Sequence, residues 1–357
     1  MNKKSLSFYN GGNLMKKYSF IVIIMMLGLL TQANAQLFSG TTKVGTTSAQ
    51  FLKIGAGARA VGMGGAYSAI SHDIYSVYWN PAGLSTAVST TELTFNHANW
   101  LADMKYDFAA ASFNMGDAGT VAASFTSFGV PEQEVTTYAN PNGDGRMWDA
   151  TSISFALTYS KMLTDRFSVG VNFKFIRESI WNTSSSGMAI DVGTLYRTPF
   201  NDLTISAAIF NFGSDLALDG RDLKFNTDPN NNIDSGPNNI PAKYDTDAFP
   251  LPLMFRFGLA MDIVNTKFIR FTGAVDAVHP NDNSEYLNLG AEFAYDELIM
   301  LRMGYRQLFM NNSEGGLTFG AGLHYKFNNS LGITINYAFA DYNRLSNVHF
   351  FDVSLQL

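Results

Sequence analysis

The first residues that could do chemistry are "GAGARA", Gly55 to Ala60. The spelling fits G-x-G-x-x-A, a fingerprint for dinucleotides. That motif works only after a strand, at the start of a helix and inside a βαβ unit. No βαβ pattern follows, so these glycines read instead as places where backbone presses on a wall. The five histidines, at 72, 97, 279, 324 and 349, form no pair at helical spacing, and HExxH is absent. His324 alternates onto a polar strand face. A Ser-His-acid set would have to be assembled from separate strands, and no stretch points to one. "NPNGDG" (140–145) and "DPNNNID" (228–234) place oxygen ligands at alternate positions, as calcium loops do. Neither has a glutamate at the twelfth position, so solvated turns are the plainer reading. No cofactor, no metal and no enzymatic activity is expected.

The stretch "SVYWNPAGLST", Ser76 to Thr86, has no acid or base after Asp73. Asn80-Pro81 disfavours helix at Asn80 and favours a turn. Gly83 permits close approach or a positive φ. Tyr78 and Trp79 are large enough to seal against an inner wall or a rim. A fixed turn and a moving gate remain equally open at this point.

Behind these segments the elements alternate. In 152–160, Ile153, Phe155, Leu157 and Tyr159 share one face, and Ser152, Ser154, Thr158 and Ser160 the other. The same period of two runs through 166–175, 253–263 and 317–327, which is how side chains leave a strand. Fourteen such segments follow one another: 90–97, 103–115, 118–128, 149–162, 166–180, 187–198, 202–212, 249–264, 267–278, 285–295, 299–309, 316–327, 331–340 and 348–357. Very short joins alternate with mostly longer ones near 98–102, 129–148, 181–186, 213–248, 279–284, 310–315 and 341–347. Large apolar residues on one face, small or charged ones on the other, and a short/long alternation of connections describe a transmembrane antiparallel β-barrel. A large soluble all-β protein has the same period; the export signal, the length and the loops select the barrel. The even count puts both ends on one side, and "HFFDVSLQL" closes the barrel at the last residue.

Composition agrees. Of 357 residues only 15% are charged and 14% are aromatic, with 31 Gly, 29 Phe and no Cys. Globular domains carry about 25% charge. "MKKYSFIVIIMMLGLLTQANAQ", from Met15, has a basic start, a short apolar run and a small-residue site at Ala33-Asn34-Ala35, the marks of a secretory signal cleaved near Ala35. Residues 1–35 contain four Lys and no acidic residue, leaving 20 basic against 30 acidic residues, a formal charge of −10. That sign disfavours nucleic acid as a partner, and none is expected. The expected organisation is an upstream extension and signal (1–35), an N-terminal plug or hatch (36–88) and a barrel (89–357) in outer-membrane lipid.

The segment 48–86 carries a resemblance. "FLKIGAGARAVGMGGA" (Phe51 to Ala66) and "WNPAGL" (Trp79 to Leu84) resemble the N-terminus of the PorV/PorQ family of Bacteroidetes outer-membrane proteins, itself similar to the FadL fatty-acid transporters. The resemblance implies a fourteen-stranded barrel with a segment in its lumen. The matching motif residues are Gly55, Gly57, Arg59, Gly62, Gly64 and Gly65, then Tyr78, Trp79, Asn80, Pro81, Ala82 and Gly83. For PorV-type proteins it implies a type IX secretion role, with the translocon and C-terminal domains of cargo as partners. For FadL-type proteins it implies passage of hydrophobic small molecules, with a hydrophobic ligand in the lumen.

Overall fold

The computed structural model describes residues 43–70, 72–87, 89–228, 239–310, 312–327 and 331–357. The expected signal peptide and most of 228–234 lie outside these residues.

Fourteen long strands form one closed antiparallel sheet. They are β1 Thr91–Asn99, β2 Lys105–Asn114, β3 Thr120–Glu134, β4 Met147–Thr164, β5 Phe167–Ile180, β6 Thr183–Arg197 and β7 Thr204–Gly213. Then come β8 Met254–Asn265, β9 Ile269–Pro280, β10 Tyr286–Tyr295, β11 Ile299–Leu308, β12 Leu317–Lys326, β13 Gly332–Asp341 and β14 Asn347–Gln356. The ends close where β1 pairs with β14, from Glu92↔Gln356 to Asn99↔His349. Every strand therefore has two partners, and no edge is left for lipid, which cannot hydrogen-bond a bare backbone.

The alternating pattern decides which wall is which. Phe95, Phe173, Leu301 and Phe351 point outward and are exposed. Their neighbours Thr94, Asn172, Arg302 and Asp352 point inward and are buried. Burial here is supplied by a segment of the same chain, residues 49–87, that fills the lumen. Its Met63, Tyr67, Ile74, Val77 and Leu84 are among the most buried side chains in the protein. Among the described residues no helix is long and apolar enough to cross a membrane; the strands cross instead.

Two expected long loops are corrected. The 129–148 connection is shortened at both ends by sheet: β3 runs on to Glu134 and β4 starts at Met147, with a bulge between Val130 and Gln133. The 181–186 connection shrinks to Trp181-Asn182, because β5 and β6 pair as far as Ile180↔Thr183. A tilted strand needs about 9–11 residues to cross a bilayer, so the 18-residue β4 continues well beyond one. The Ser-rich run 183–186 lacks apolar alternation because it stands above the apolar belt. In 213–248, short strands Lys224–Thr227 and Ile240–Lys243 pair with each other, and Phe225 stacks on Tyr244 at 4.6 Å.

Candidate functional site: the plug and its latch

The plug begins at the long-loop end. Gln50 and Lys53 both reach Asp282 Oδ2, at 2.9 and 2.7 Å, and the Ala49 amide donates to Glu178 Oε2 at 3.0 Å. Burial alone would raise the Asp282 pKa, but Lys53 and the Gln50 and Thr47 donors outweigh it and hold it below the usual range.

The chain then enters a short helix, α1 Ala58–Gly62. Gly57 starts it at φ +86°, and a Cβ there would lie 2.7 Å from the Tyr75 ring, so only glycine fits. The Ala58 amide donates to Asp352 Oδ2 at 2.6 Å. Arg59 meets Glu292 on β10 with two bonds, Nε to Oε2 at 2.9 Å and Nη2 to Oε1 at 2.8 Å. Its Nη1 reaches Asp73 at 3.1 Å, and its guanidinium lies 5.5 Å from the Tyr67 ring centre. Burial disfavours the Arg59 charge, yet Glu292 outweighs it and the guanidinium is held well above its usual pKa.

Glu292 carries more than Arg59. Arg302 Nε reaches its Oε2 at 2.6 Å and Arg270 Nη1 its Oε1 at 2.9 Å. Arg302 Nη1 then donates to Asn336 Oδ1 (2.8 Å), and Asn336 Nδ2 to Asp352 Oδ1 (2.7 Å). The bonds thus form a ring: Ala58 and Arg59 on the plug, closed through Glu292, Arg302, Asn336 and Asp352 on the wall. Glu292 is fully buried, and a buried charge is tolerable only when paired this completely. The ring is a latch between α1 and four consecutive or near strands, β10, β11, β13 and β14.

A second anchor is Asp276 on β9, which accepts from the Tyr67 and Ser68 amides at 3.2 and 3.1 Å and from Ser68 Oγ at 2.9 Å. Between the anchors, backbone meets backbone. A Cβ on Gly64 (φ +67°) would stand 2.6 Å from the Leu289 carbonyl oxygen, and one on Gly62 would stand 3.0 Å from Gly320 Cα. Gly55 and Gly65 both lie against the Trp79 ring.

The second motif lies in α2 Ser76–Trp79 and the 3-10 turn Pro81–Thr86. Tyr78 donates its hydroxyl to Leu52 O at 2.9 Å, and Trp79 Nε1 donates to Ala56 O at 2.8 Å. These bonds tie the plug to itself, and Tyr78 also meets the inner wall, edge-on to Phe108 of β2 with ring centres 6.5 Å apart. Trp79 also faces Arg256 on β8, whose guanidinium sits 4.7 Å from its ring. Asn80 is extended, as the following Pro81 requires. Its Oδ1 caps the turn through the Ala82 amide (3.1 Å), and its Nδ2 reaches Ser68 O and, on β6, Thr194 O. Pro81 and Ala82 press on Gly170, and Ser160 Oγ donates to Ala82 O at 3.0 Å. Of the two readings of Gly83, close approach or positive φ, the second is not met: it sits inside the 3-10 turn, is buried, and is not among the left-handed glycines.

The other candidates lie apart. His324, facing inward, meets Thr334 Oγ1 at 2.8 Å. In 140–145, Asp144 accepts from Arg146 at 2.9 Å, and among the described residues no group of three or more metal-ligating side chains gathers. Sequence reasoning missed the wall half of the site: Glu292, Arg302, Asp352, Asp276, and Gly170, Gly193, Gly290 and Gly304, which the plug touches. A signal exists in "AVDAV", "GAEFA" and "FFDVS", each a single inward carboxylate flanked on both sides by apolar residues.

A sheet closed on itself, an apolar outer wall and a charged inner wall define an outer-membrane β-barrel, here with residues of its own chain packed in the lumen. The profile of the family described as "Type IX secretion system protein PorV" matches residues 38–245, more than half of the chain, and the chain belongs to that family. A search among curated proteins found no match. Several solved structures share the fold. The CymD monoaromatic hydrocarbon channel has a TM-score of 0.53 and 12% identity, covering 85% of this chain and 96% of that one. The toluene transporter TbuX of Ralstonia pickettii is similar at TM-score 0.53 and 12% identity, covering 84% and 97%. A FadL homologue from Pseudomonas aeruginosa matches at TM-score 0.53 and 12% identity, covering 88% and 99%.

Proposed function

We propose that this protein is an outer-membrane component of type IX secretion that binds partner proteins, secreted cargo or the translocon, at the long-loop end of a plugged barrel. In this reading residues 36–88 are the plug, 89–357 are the barrel, and the chain carries out no chemical step. The observation that carries the reading beyond family membership is the latch. A lumen filled by a segment held through a fully buried Glu292 and three arginines favours a closed platform over an open pore. The tall β3–β4 and β5–β6 hairpins and the paired strands of 213–248 supply surface for partners on that platform.

The other reading is passage of hydrophobic small molecules, for which "WNPAGL" and the shared fold speak. The cavities flanking the plug favour it less. One of about 490 Å³ at the short-turn end is lined by Arg59, Asp73, Glu92, Arg302 and Lys326 among others, a charged wall for an apolar solute. The test is affinity purification of the tagged protein from its own outer membrane, alongside a deletion strain. The expected result is co-purification of translocon components and loss of secretion of proteins bearing the C-terminal signal domain. Intact secretion with lost uptake of a hydrophobic compound would replace this reading with the other.

A further inference from the structure

The geometry points to a binding site for a small oxyanion, a carboxylate or phosphate group, in the cavity between the long-loop face of the plug and the barrel wall. The cavity holds about 80 Å³ and is lined from both sides, by Lys53, Gly55 and Trp79 of the plug and by Arg256, Asn288 and Arg306 of the wall. Three of the lining residues are cations, and among the described residues none of those lining it is acidic.

Arg256 is the decisive group. It is 6% exposed, and its guanidinium lies over the rings of Trp79 and Phe210, at 4.7 and 5.4 Å from their centres. Among the described residues its Nε and Nη1 have no hydrogen-bond partner. Asp276 forms a long ion pair with Nη1 at 3.9 Å, beyond hydrogen-bond distance, and its oxygens already accept from Tyr67 and Ser68. Buried donors are ordinarily paired. A guanidinium carries its donors along its edges, Nε with Nη2 and Nη1 with Nη2, and such an edge matches the paired oxygens of a carboxylate or phosphate.

Arg306 reinforces the field. It lies over the Tyr342 ring at 4.7 Å, donates to the Tyr342 hydroxyl, and among the described residues makes no ion pair. Lys53 is already paired with Asp282 and adds the smaller share. Because Trp79 is on the plug and Arg256 and Arg306 are on the wall, a bound oxyanion stitches the two together and stabilises the closed state. This goes beyond the secretion reading and does not depend on it, since binding is what is measured.

The experiment uses the purified, folded full chain in detergent. Inorganic phosphate and acetate are titrated separately at constant ionic strength set with chloride, reading thermal stability and calorimetric heat. A saturable rise in Tm is expected with at least one probe. Saturation with phosphate alone assigns a phosphate-type ligand, and saturation with acetate alone a carboxylate. Arg256→Gln should abolish it and Arg306→Gln should weaken it at least tenfold, while Arg344→Gln, whose side chain is exposed and paired with Glu314, should leave it unchanged. Heat-modifiable migration on gels checks that each variant is folded. If Arg256→Gln does not fold, Arg306→Gln carries the comparison. Shifts that never saturate with either probe, or that are equal in wild type and the cavity variants, would overturn the proposal.

Discussion

Glu292 is where one atom group decides the most. It pairs with Arg59, Arg270 and Arg302 while fully buried, so removing it leaves three cations facing one another. Glu292→Ala should cost about 3–5 kcal/mol, seen as a lower Tm and faster proteolysis within 49–87. Gly64 is limited by space rather than charge. At φ +67° and with the Leu289 oxygen 2.6 Å from any Cβ, Gly64→Ala should cost about 1–3 kcal/mol from overpacking. His72 brings a pH dependence. It is half-buried in the plug, its Nδ1 meets Thr86 Oγ1 at 2.7 Å, and its pKa is pushed down to about 4. Burial is the main cause; Arg197 and Arg59 lower it further, against the opposing pull of Asp73 and Asp262. The neutral ring is thus favoured in the folded state, so its stabilisation is complete above the unfolded value of about 6.5. It declines as pH falls from there to about 4, since unfolding then takes up a proton. Tm should drop through that window in the wild type and drop less in His72→Gln.

At the scale of elements, the period-two strands were the legible part. Residues such as Phe155, Leu157 and Tyr159 alternate because one face meets lipid and the other the lumen, and local sequence carries that contrast. The hairpins above the belt were not legible. Both faces of Thr183–Ser186 meet polar surroundings, so alternation vanishes although pairing continues. This gives a test of β3–β4. Replacing 135–145 by a short turn should leave heat-modifiable migration and Tm unchanged, because those residues lie beyond the barrel ladder. If the hairpin is a partner surface, co-purification of secretion components should fall in the same variant.

For the molecule as a whole, the latch predicts a barrel that is closed at rest. In planar bilayers the wild-type protein should give few large conductance steps, and Glu292→Ala should give more, as the plug leaves the wall. Frequent large steps in the wild type would count against a held plug. By itself the sequence determined the outer membrane as the setting and the number of strands, because apolar period and turn residues are local properties that each segment expresses alone. Which residues hold the plug was decided only by tertiary structure. Arg59 and Glu292 are 233 positions apart, and Ala58 and Asp352 are 294 apart. Closing β1 onto β14 sets the register that brings their strands around one helix. A lone inward carboxylate looks the same in every strand until that closure gives it a partner. "SVYWNPAGLST" changes in the same way: its Pro81 turn was readable, but its anchoring on Ser160 and Thr194 exists only once β4 and β6 stand on either side of β5.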